Sequence, residues 1–368
     1  MDPILLQHLR QAFAAQAAQC REISPLGAAL CEGLGAAPGQ GVIDIFSRFF
    51  RITAVVTPNP ALMIAGLHHL ALGGGAPELA RFFPSCGGTY GDTDRAALVA
   101  AAEGALAASP EEILDFMLSW QPQRPEVRRS SAFVLGALAV TERFGGGLSV
   151  VEAGAGAGLN LWFDRYAYQF GDGPGLGESP LHLAIAVADR DGAVRRLLDR
   201  GVPTVVARVG LDQEPGDLTD PDQRQAREAF FWPDELAALE RLRAAAALVP
   251  TFGAAEIRSG AVEHDLAALL METYNAMPEG NTLFLCESLL WPYLSEQQRV
   301  RMTSAIQQLA AQLRPYKPLA WLQVEPFTQG SATLSLRLHT FGWADQEDRA
   351  VRNLAEAAPD LAWVRWLE

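Results

Sequence analysis

A single junction limits what this chain can fold into. Ser149-Val150-Val151-Glu152-Ala153 reads as a buried strand, and it runs into Gly154, Gly156 and Gly158 at alternate positions before Leu159-Asn160. Glycine is needed where a backbone turns sharply and no Cβ can be tolerated in the path of a neighbour or ligand. In open α/β sheets such a turn lies at the carboxyl edge, where ligands bind, and the amides opening the next helix are expected to face an anionic group. Spacing narrows the ligand. A dinucleotide site wants G-x-G-x-x-G/A; counted from Gly154 the last position is Leu159, and from Gly156 it is Leu161, so neither frame fits. No G-x-x-x-x-G-K-[ST] occurs either, which excludes a P-loop.

Upstream of this junction the chain reads as helical. Pro60 to Leu72 carries apolar residues at helical spacing and stops at Gly73-Gly74-Gly75. Ser109-Pro110-Glu111-Glu112 has the pattern of a capping box opening a helix through Trp120, and Ser131–Phe144 forms another helix, stopped by Gly145. From Leu148 the rhythm changes. Short apolar runs at Leu148–Ala153, Val202–Gly210, Ala255–Ser259, Thr282–Cys286, Leu319–Val324, Ala332–His339 and Leu361–Leu367 predict strands. Helices are expected between them at Asp222–Ala247, Asp265–Ala276 and Ser295–Leu313, the last opened by a second capping box. This alternation implies an α/β fold with a Rossmann-like, doubly wound, mostly parallel sheet over 146–368, preceded by an α-helical domain over 1–145 that would cap the substrate. Tyr166–Phe170 and Leu181–Val187, around Gly171–Gly175, read as a hairpin inserted near 166–187.

Composition excludes several classes. Of 368 residues 49% are hydrophobic, enough for a substantial core, and Lys+Arg 29 against Asp+Glu 43 gives a net charge of −14. That balance argues against nucleic acid as a partner, since such affinity rests on Lys and Arg neutralising phosphates. Cys20, Cys31, Cys86 and Cys286 make neither a disulfide framework nor a CxxC zinc pair, which fits a reduced, cytoplasmic setting. Met1-Asp2-Pro3-Ile4 lacks a basic, then apolar, leader pattern. The uncharged stretch Ile52–Pro77 is broken by prolines, glycines and His68-His69, so no membrane span is expected.

Individual side chains carry both functional and bland readings. Glu287 follows a buried-looking run and could orient a substrate amine or accept its proton, or stand as an exposed loop acid. Glu126, Arg128 and Arg129 precede the last N-terminal helix and would either line a substrate pocket or form a solvated turn. Adjacent helical residues point about 100° apart, so His68-His69 reads as a core or surface pair and not as metal ligands. Ser288 lies in Cys286-Glu287-Ser288-Leu289-Leu290, which is not the G-x-S-x-G elbow of a hydrolase.

The E-x-G-x-G-x-G run resembles motif I of class I S-adenosylmethionine-dependent methyltransferases. Gly210-Leu211-Asp212-Gln213-Glu214-Pro215 resembles the end of their next strand, whose acid accepts both ribose hydroxyls; here it lies 54 residues past Gly158. Asp212 could instead be a capping or solvated acid. Glu256–Asp265 resembles the strand and loop that pass the adenine ring, with Glu263, His264 or Asp265 reaching its amine or capping the following helix. From about Glu126 onward the chain is similar to the uncharacterised family domain of unknown function 2332. Glu126-Val127, Arg129-Ser130, Gly158-Leu159-Asn160-Leu161, Asp164-Arg165-Tyr166, Tyr168, Trp232-Pro233, Trp291 and Tyr293-Leu294 carry that likeness. Pro58-Asn59-Pro60 with His68, and Phe83-Pro84-Ser85, resemble its helical part. That family's tail has a His-Gly pair where this chain has Pro359-Asp360.

The resemblance implies S-adenosylmethionine as cofactor and a methyltransferase acting on a small molecule. Cofactor contacts fall to Glu152, Gly154, Gly156, Gly158, Asn160, Asp212, Glu263 and Cys286. Catalytic roles fall to Glu287, His264 and Glu126, and substrate contacts to Arg129, Trp291 and Tyr293, with no metal. The rival expectation is a non-catalytic protein that binds a nucleoside or S-adenosylmethionine, or serves as an interaction module on the same fold. A nicotinamide-dependent oxidoreductase would need a different glycine frame.

Overall fold

The computed structural model describes residues 3–253, 255–328, 331–342 and 349–368. The chain divides into two compact units, Met1–Arg124 with Leu218–Arg243, and Pro125–Asp217 with Ala244–Glu368. The helical part expected over 1–145 therefore ends near 124, takes in a later stretch, and leaves the Ser130–Phe144 helix in the unit of the sheet.

The first unit contains α1 (Pro3–Cys20), α2 (Pro25–Ala36), α3 (Gln40–Thr53), α4 (Pro60–Leu72), α5 (Pro77–Ala80), α6 (Arg95–Ala108), α7 (Pro110–Ser119) and α10 (Pro221–Glu228), together with the start of α11 (Leu236–Phe252). Several open on proline, whose fixed φ suits the first helical position and whose missing N–H costs nothing there. Ser24 accepts from the Gly27 amide and Asn59 from that of Leu62, at 2.7 and 3.1 Å. Ser109, expected to cap in the same way, makes no side-chain capping bond. Leu9, Phe13, Leu30, Phe46, Met63, Leu67, Leu98 and Ile113 form the core, closed by Ala226 and Ala229. The helix expected as one piece over Asp222–Ala247 is two. Asp220 caps α10 as anticipated, but Phe230-Phe231-Trp232-Pro233 interrupts it, because Pro233 has no N–H to continue a helical ladder.

The second unit is built on a mixed sheet with eleven strands among the described residues: β1 (Leu148–Ala153), β2 (Ala167–Phe170), β3 (Gly175–Leu176), β4 (His182–Ala188), β5 (Val205–Asp212), β6 (Glu256–Ser259), β7 (Thr282–Ser288), β8 (Leu319–Pro326), β9 (Leu334–Phe341), β10 (Arg349–Ala357) and β11 (Trp363–Trp366). Their order is β3-β2-β4-β11-β10-β9-β8-β7-β1-β5-β6. Strands β6, β5, β1, β7 and β8 run parallel, and β9 and β10 fold back antiparallel. After the β2–β4 insertion the chain runs to β5 and β6 on one side of β1 and then to β7 and β8 on the other, so the order reverses beside β1. In open sheets that reversal opens a crevice at the carboxyl ends.

Helices cover both faces. Val151, Val209, Leu285 and Trp321 share one face and bury themselves under α12 (Val262–Ala276) and α13 (Glu296–Ala310). Val150, Phe284 and Leu322 share the other, where Gly136 of α8 (Ser130–Phe144) lies close enough to Leu322 that a Cβ would sit 2.6 Å from it. The insertion near 166–187 is not the simple hairpin expected. β2 and β4 pair parallel, only the two-residue β3 folds back on β2, and β4 joins the main sheet through the C-terminal β11. The short α9 (Ala193–Leu198) follows. Among the described residues no helix is long and apolar enough to cross a membrane.

Candidate functional site

The carboxyl ends of β1, β5, β7 and β8 gather most of the polar residues singled out above. Gly154, Gly156 and Gly158 all take positive φ, 75°, 56° and 71°, which explains why alternate glycines follow β1. Their amides are not left open. Gly154 N–H and Ala155 N–H donate to the Leu211 carbonyl (2.8 and 3.2 Å), Gly158 N–H to the Ala155 carbonyl (2.8 Å), and Gly156 N–H to Asp212 Oδ2 (2.7 Å). The helix expected after Gly158 is a six-residue 3-10 turn, Asn160–Arg165. The amides of Gly154, Ala155, Gly156 and Gly158 are therefore engaged within the protein and do not face an anion.

Asp212 ends β5 almost fully buried, its other oxygen accepting from Glu214 N–H at 2.9 Å. One carboxylate thus binds the glycine loop to the loop after β5, and each oxygen keeps acceptor capacity, since an ionised carboxyl offers about four lone-pair sites. Apolar side chains pack over the outer glycines. A Cβ on Gly154 would stand 3.1 Å from Leu290 Cδ1, and one on Gly158 only 2.6 Å from Ile257 Cδ1.

The 3-10 turn is anchored from beneath. Arg208 of β5 donates twice to Asp164 (2.7 and 3.0 Å) and once to the Leu161 carbonyl, and its guanidinium lies 4.1 Å over the Trp162 ring. Tyr166 and Tyr168 donate to the Leu159 and Phe163 carbonyls, each at 2.7 Å. The Asp164-Arg165-Tyr166 and Tyr168 pattern therefore serves to hold the loop in place.

Three carboxyls lie along the edge: Glu152 on β1, Glu287 on β7 and Glu325 on β8, between 0% and 9% exposed. Strand alternation separates them. Glu152 pairs in register with Cys286 on the α8 face, while Glu287 pairs with Gln323 on the α12 and α13 face. Burial and the nearby Asp212 push the proton affinity of Glu152 well above the usual carboxyl range, against a hydrogen bond from Asn160 and the charge of Arg129. Glu287 Oε1 accepts from Trp291 Nε1 (2.6 Å) and Gln323 Nε2 (2.9 Å). Burial first, and then Glu325, push it up to about 8. Glu325 Oε1 accepts from the Leu290 and Trp291 amides (2.7 and 3.2 Å), fixing the turn in which Leu289 adopts φ 53°, and burial raises it to about 7. Gln323 also accepts from His339 Nε2 at 2.8 Å, and His339 stacks on Trp321.

Arg129 joins the two faces electrically, its charge acting on Glu152, Glu325 and Tyr293. Glu152 Oε2, Asn160 Oδ1, Glu287 Oε2, Glu325 Oε2 and Ser288 Oγ are buried with no hydrogen-bond partner among the described residues. Buried polar atoms are nearly always bonded, so five such oxygens at the carboxyl ends of these strands mark a place suited to polar partners.

Other expected residues take different positions. Glu126 accepts from the Arg128 amide (3.0 Å) and so caps the short turn before α8, while Arg128 ion-pairs with Asp360 (3.1 Å) in the Pro359-Asp360 departure. Cys286 is fully buried with its thiol toward the Val151 carbonyl. Glu263 Oε1 accepts from Gln298 at 2.7 Å, and His264 stands exposed on the first turn of α12. Asp265 reaches back to the Ala261 amide as a helix cap. Trp291 reaches the cluster through Glu287, and Tyr293 is largely exposed. Sequence reasoning missed Glu325, Gln323 and His339. The signal for Glu325 is present, an acid closing a buried run as Glu287 does, but the expected run stops at Val324, two residues short of the end of β8 at Pro326. Among the described residues no group of three His, Cys, Asp or Glu is placed to hold a metal ion.

No curated protein and no solved structure matches the chain. The family described as uncharacterized protein conserved in bacteria (DUF2332) matches residues 10–366, nearly the whole length. With its glycine turn, buried carboxyl edge and helical first unit, the chain belongs to that family of uncharacterized bacterial proteins.

Proposed function

We propose that the edge around Glu152, Asp212 and Glu287 binds S-adenosylmethionine and serves methyl transfer to a small molecule, on a Rossmann-like, methyltransferase-like sheet. The observation that carries this reading is the polarity of the edge. The amides of Gly154, Ala155, Gly156 and Gly158 donate within the protein, while among the described residues five buried oxygens, on Glu152, Asn160, Glu287, Ser288 and Glu325, have no hydrogen-bond partner. Such a surface favours a cationic, donor-rich ligand over a dinucleotide. Bound there, S-adenosylmethionine would supply an electrophilic methyl group on a positively charged sulfonium.

The chain's own residues then have defined work. Asp212 accepts from the ribose hydroxyls with its remaining lone pairs while it holds Gly156. Glu152, with Asn160, presents unpartnered oxygens toward a positive group; a nearby cation draws off the proton that burial keeps on Glu152. Glu287, held by Trp291 and Gln323, is poised near neutrality to take a proton from an attacking amine or hydroxyl. Arg129 and Tyr293 orient the acceptor. Methyl transfer then rests on positioning and exclusion of water.

One observation favours the non-catalytic rival. Leu290 and Ile257 pack over Gly154 and Gly158, which restricts room for a reacting partner beside the cofactor. Calorimetry on wild type and Asp212→Ala, with S-adenosylmethionine and its demethylated product, tests the proposal. Saturable heat with wild type that is lost in the variant supports it. No heat with either ligand overturns it. Binding without methyl loss across amine, hydroxyl and acid acceptors selects the sensor.

A further inference from the structure

A second constellation lies wholly within the first unit. A cavity of about 710 Å³ is lined by Ser85, Cys86, Arg224, Glu228 and Arg243, among others. His68, on α4, is fully buried behind it. Its Nδ1 lies 3.0 Å from the Phe231 carbonyl and 3.3 Å from that of Ala229. Carbonyls only accept, so Nδ1 carries the proton and Nε2 presents a lone pair. Ser85 Oγ stands 2.7 Å from that Nε2, so the serine hydroxyl donates to it. The break between α10 and α11 supplies both carbonyls, and the Pro233 carbonyl accepts from the Ser85 amide at 2.9 Å. The interruption that sequence periodicity did not reveal is what orients the histidine.

A cation completes the group. Arg243 lines the cavity, is held by Glu228 at 2.6 Å, and acts electrostatically on both His68 and Cys86. Nucleophile and fixed cation thus line one cavity, with the base and its orienting acceptors buried behind the serine, an arrangement suited to acyl transfer. None of them contributes to the carboxyl edge of the sheet.

We propose that Ser85 and His68 form a nucleophilic dyad, with Arg243 stabilising the oxyanion, that hydrolyses small esters bearing an anionic group. Ser85 Oγ bonds to the ester carbonyl carbon as its proton passes to His68 Nε2, and the carbonyl electron pair moves to an oxygen facing Arg243. Collapse breaks the bond to the alkoxide, which leaves as an alcohol with the proton from His68. Water then gives a proton to His68 and its oxygen to the acyl carbon. The carboxylic acid departs as Ser85 recovers its proton. Burial keeps His68 neutral, pushing it down to about 4, so the lone pair is available at neutral pH. Arg81, Arg224 and Arg243 against Glu228 give the lining a positive excess, in a chain whose net charge is −14.

The test treats the full-length protein with an alkyl fluorophosphonate, followed by intact-mass measurement and peptide mapping. One phosphonyl group on Ser85 is expected, absent from Ser85→Ala and retained in Cys86→Ser. Arg243→Gln should slow labelling about a hundredfold, the cost of losing one oxyanion partner. Thermal melting establishes that each variant is folded. Labelling of folded Ser85→Ala at the wild-type rate, labelling only on Cys86 or elsewhere, or no adduct under conditions that saturate a control serine esterase would each overturn the proposal. A melting point that falls in Ser85→Ala while wild type stays unlabelled identifies the Ser85–His68 bond as a structural tie and overturns it equally.

Discussion

Replacing Glu287 with glutamine should stabilise the protein at alkaline pH and leave it unchanged at acid pH. The amide oxygen keeps both donations, from Trp291 and Gln323, and the new NH2 stands where Oε2 has no partner. In the unfolded chain the carboxyl titrates at its ordinary value of 4.5, and in the fold at about 8. Between those values the folded protein holds a proton that the unfolded chain has released. The contribution is therefore complete below pH 4.5 and lost as pH climbs through about 8. Each tenfold change in proton affinity is about 1.4 kcal/mol, so the ceiling is about 5 kcal/mol. Hydration at the sheet edge and sharing of charge with Glu325 reduce this, and about 1–3 kcal/mol is the expected gain at pH 9. Urea titrations of both proteins from pH 5 to pH 9, read by far-UV circular dichroism, give the difference directly. A difference that is flat across that range, or largest at pH 5, would refute the argument that burial keeps Glu287 protonated.

Two further substitutions probe the loops around the edge. Gly158→Ala should cost about 2–4 kcal/mol, from a left-handed φ and a Cβ driven into Ile257 Cδ1. Adding Ile257→Val should return about 1 kcal/mol, because it removes the clashing methyl and leaves the backbone cost; no recovery in the double variant's melting curve would assign the whole effect to φ. Asp164→Ala should destabilise by about 3–5 kcal/mol, since it leaves Arg208 buried without its carboxylate. A loss under 1 kcal/mol by chemical denaturation would mean that Leu161 and Trp162 suffice to hold the guanidinium.

Strands β1, β7 and β8 were legible because they are largely apolar runs buried on both faces, and β1 was placed to the residue. The Ser295 cap was legible too, because Ser295 and Gln298 satisfy each other's amides at 3.3 and 2.8 Å. Beyond β8, the expected runs Ala332–His339 and Leu361–Leu367 overlap β9 and β11, but β10 was not legible. β10 contains Arg349-Ala350-Val351-Arg352-Asn353-Leu354-Ala355-Glu356-Ala357, with Ala, Glu and Arg that favour helix. Pairing with β9 and β11 makes it a strand. The parallel pairing of β2 with β4 was hidden for a similar reason, since β11 comes from the far end of the chain.

At the site, the strand-end motifs singled out Glu152, Asp212 and Glu287 but not the direction of their hydrogen bonds. Nothing in G-x-G-x-G announces that each glycine amide is consumed within the protein. Nor could local pattern show that Asp212 ties the loop together, or that Glu325 props the turn after β7, because those bonds form only once β5, β7 and β8 have registered.

The most direct measurement is a crystal structure of the protein grown with S-adenosylhomocysteine. The account predicts an adenosyl group at the carboxyl end of β1, with its ribose hydroxyls on Asp212 and its amino group toward Glu152 and Asn160. A protein whose edge is filled only by water, with Leu290 and Ile257 still seated on Gly154 and Gly158, would contradict it.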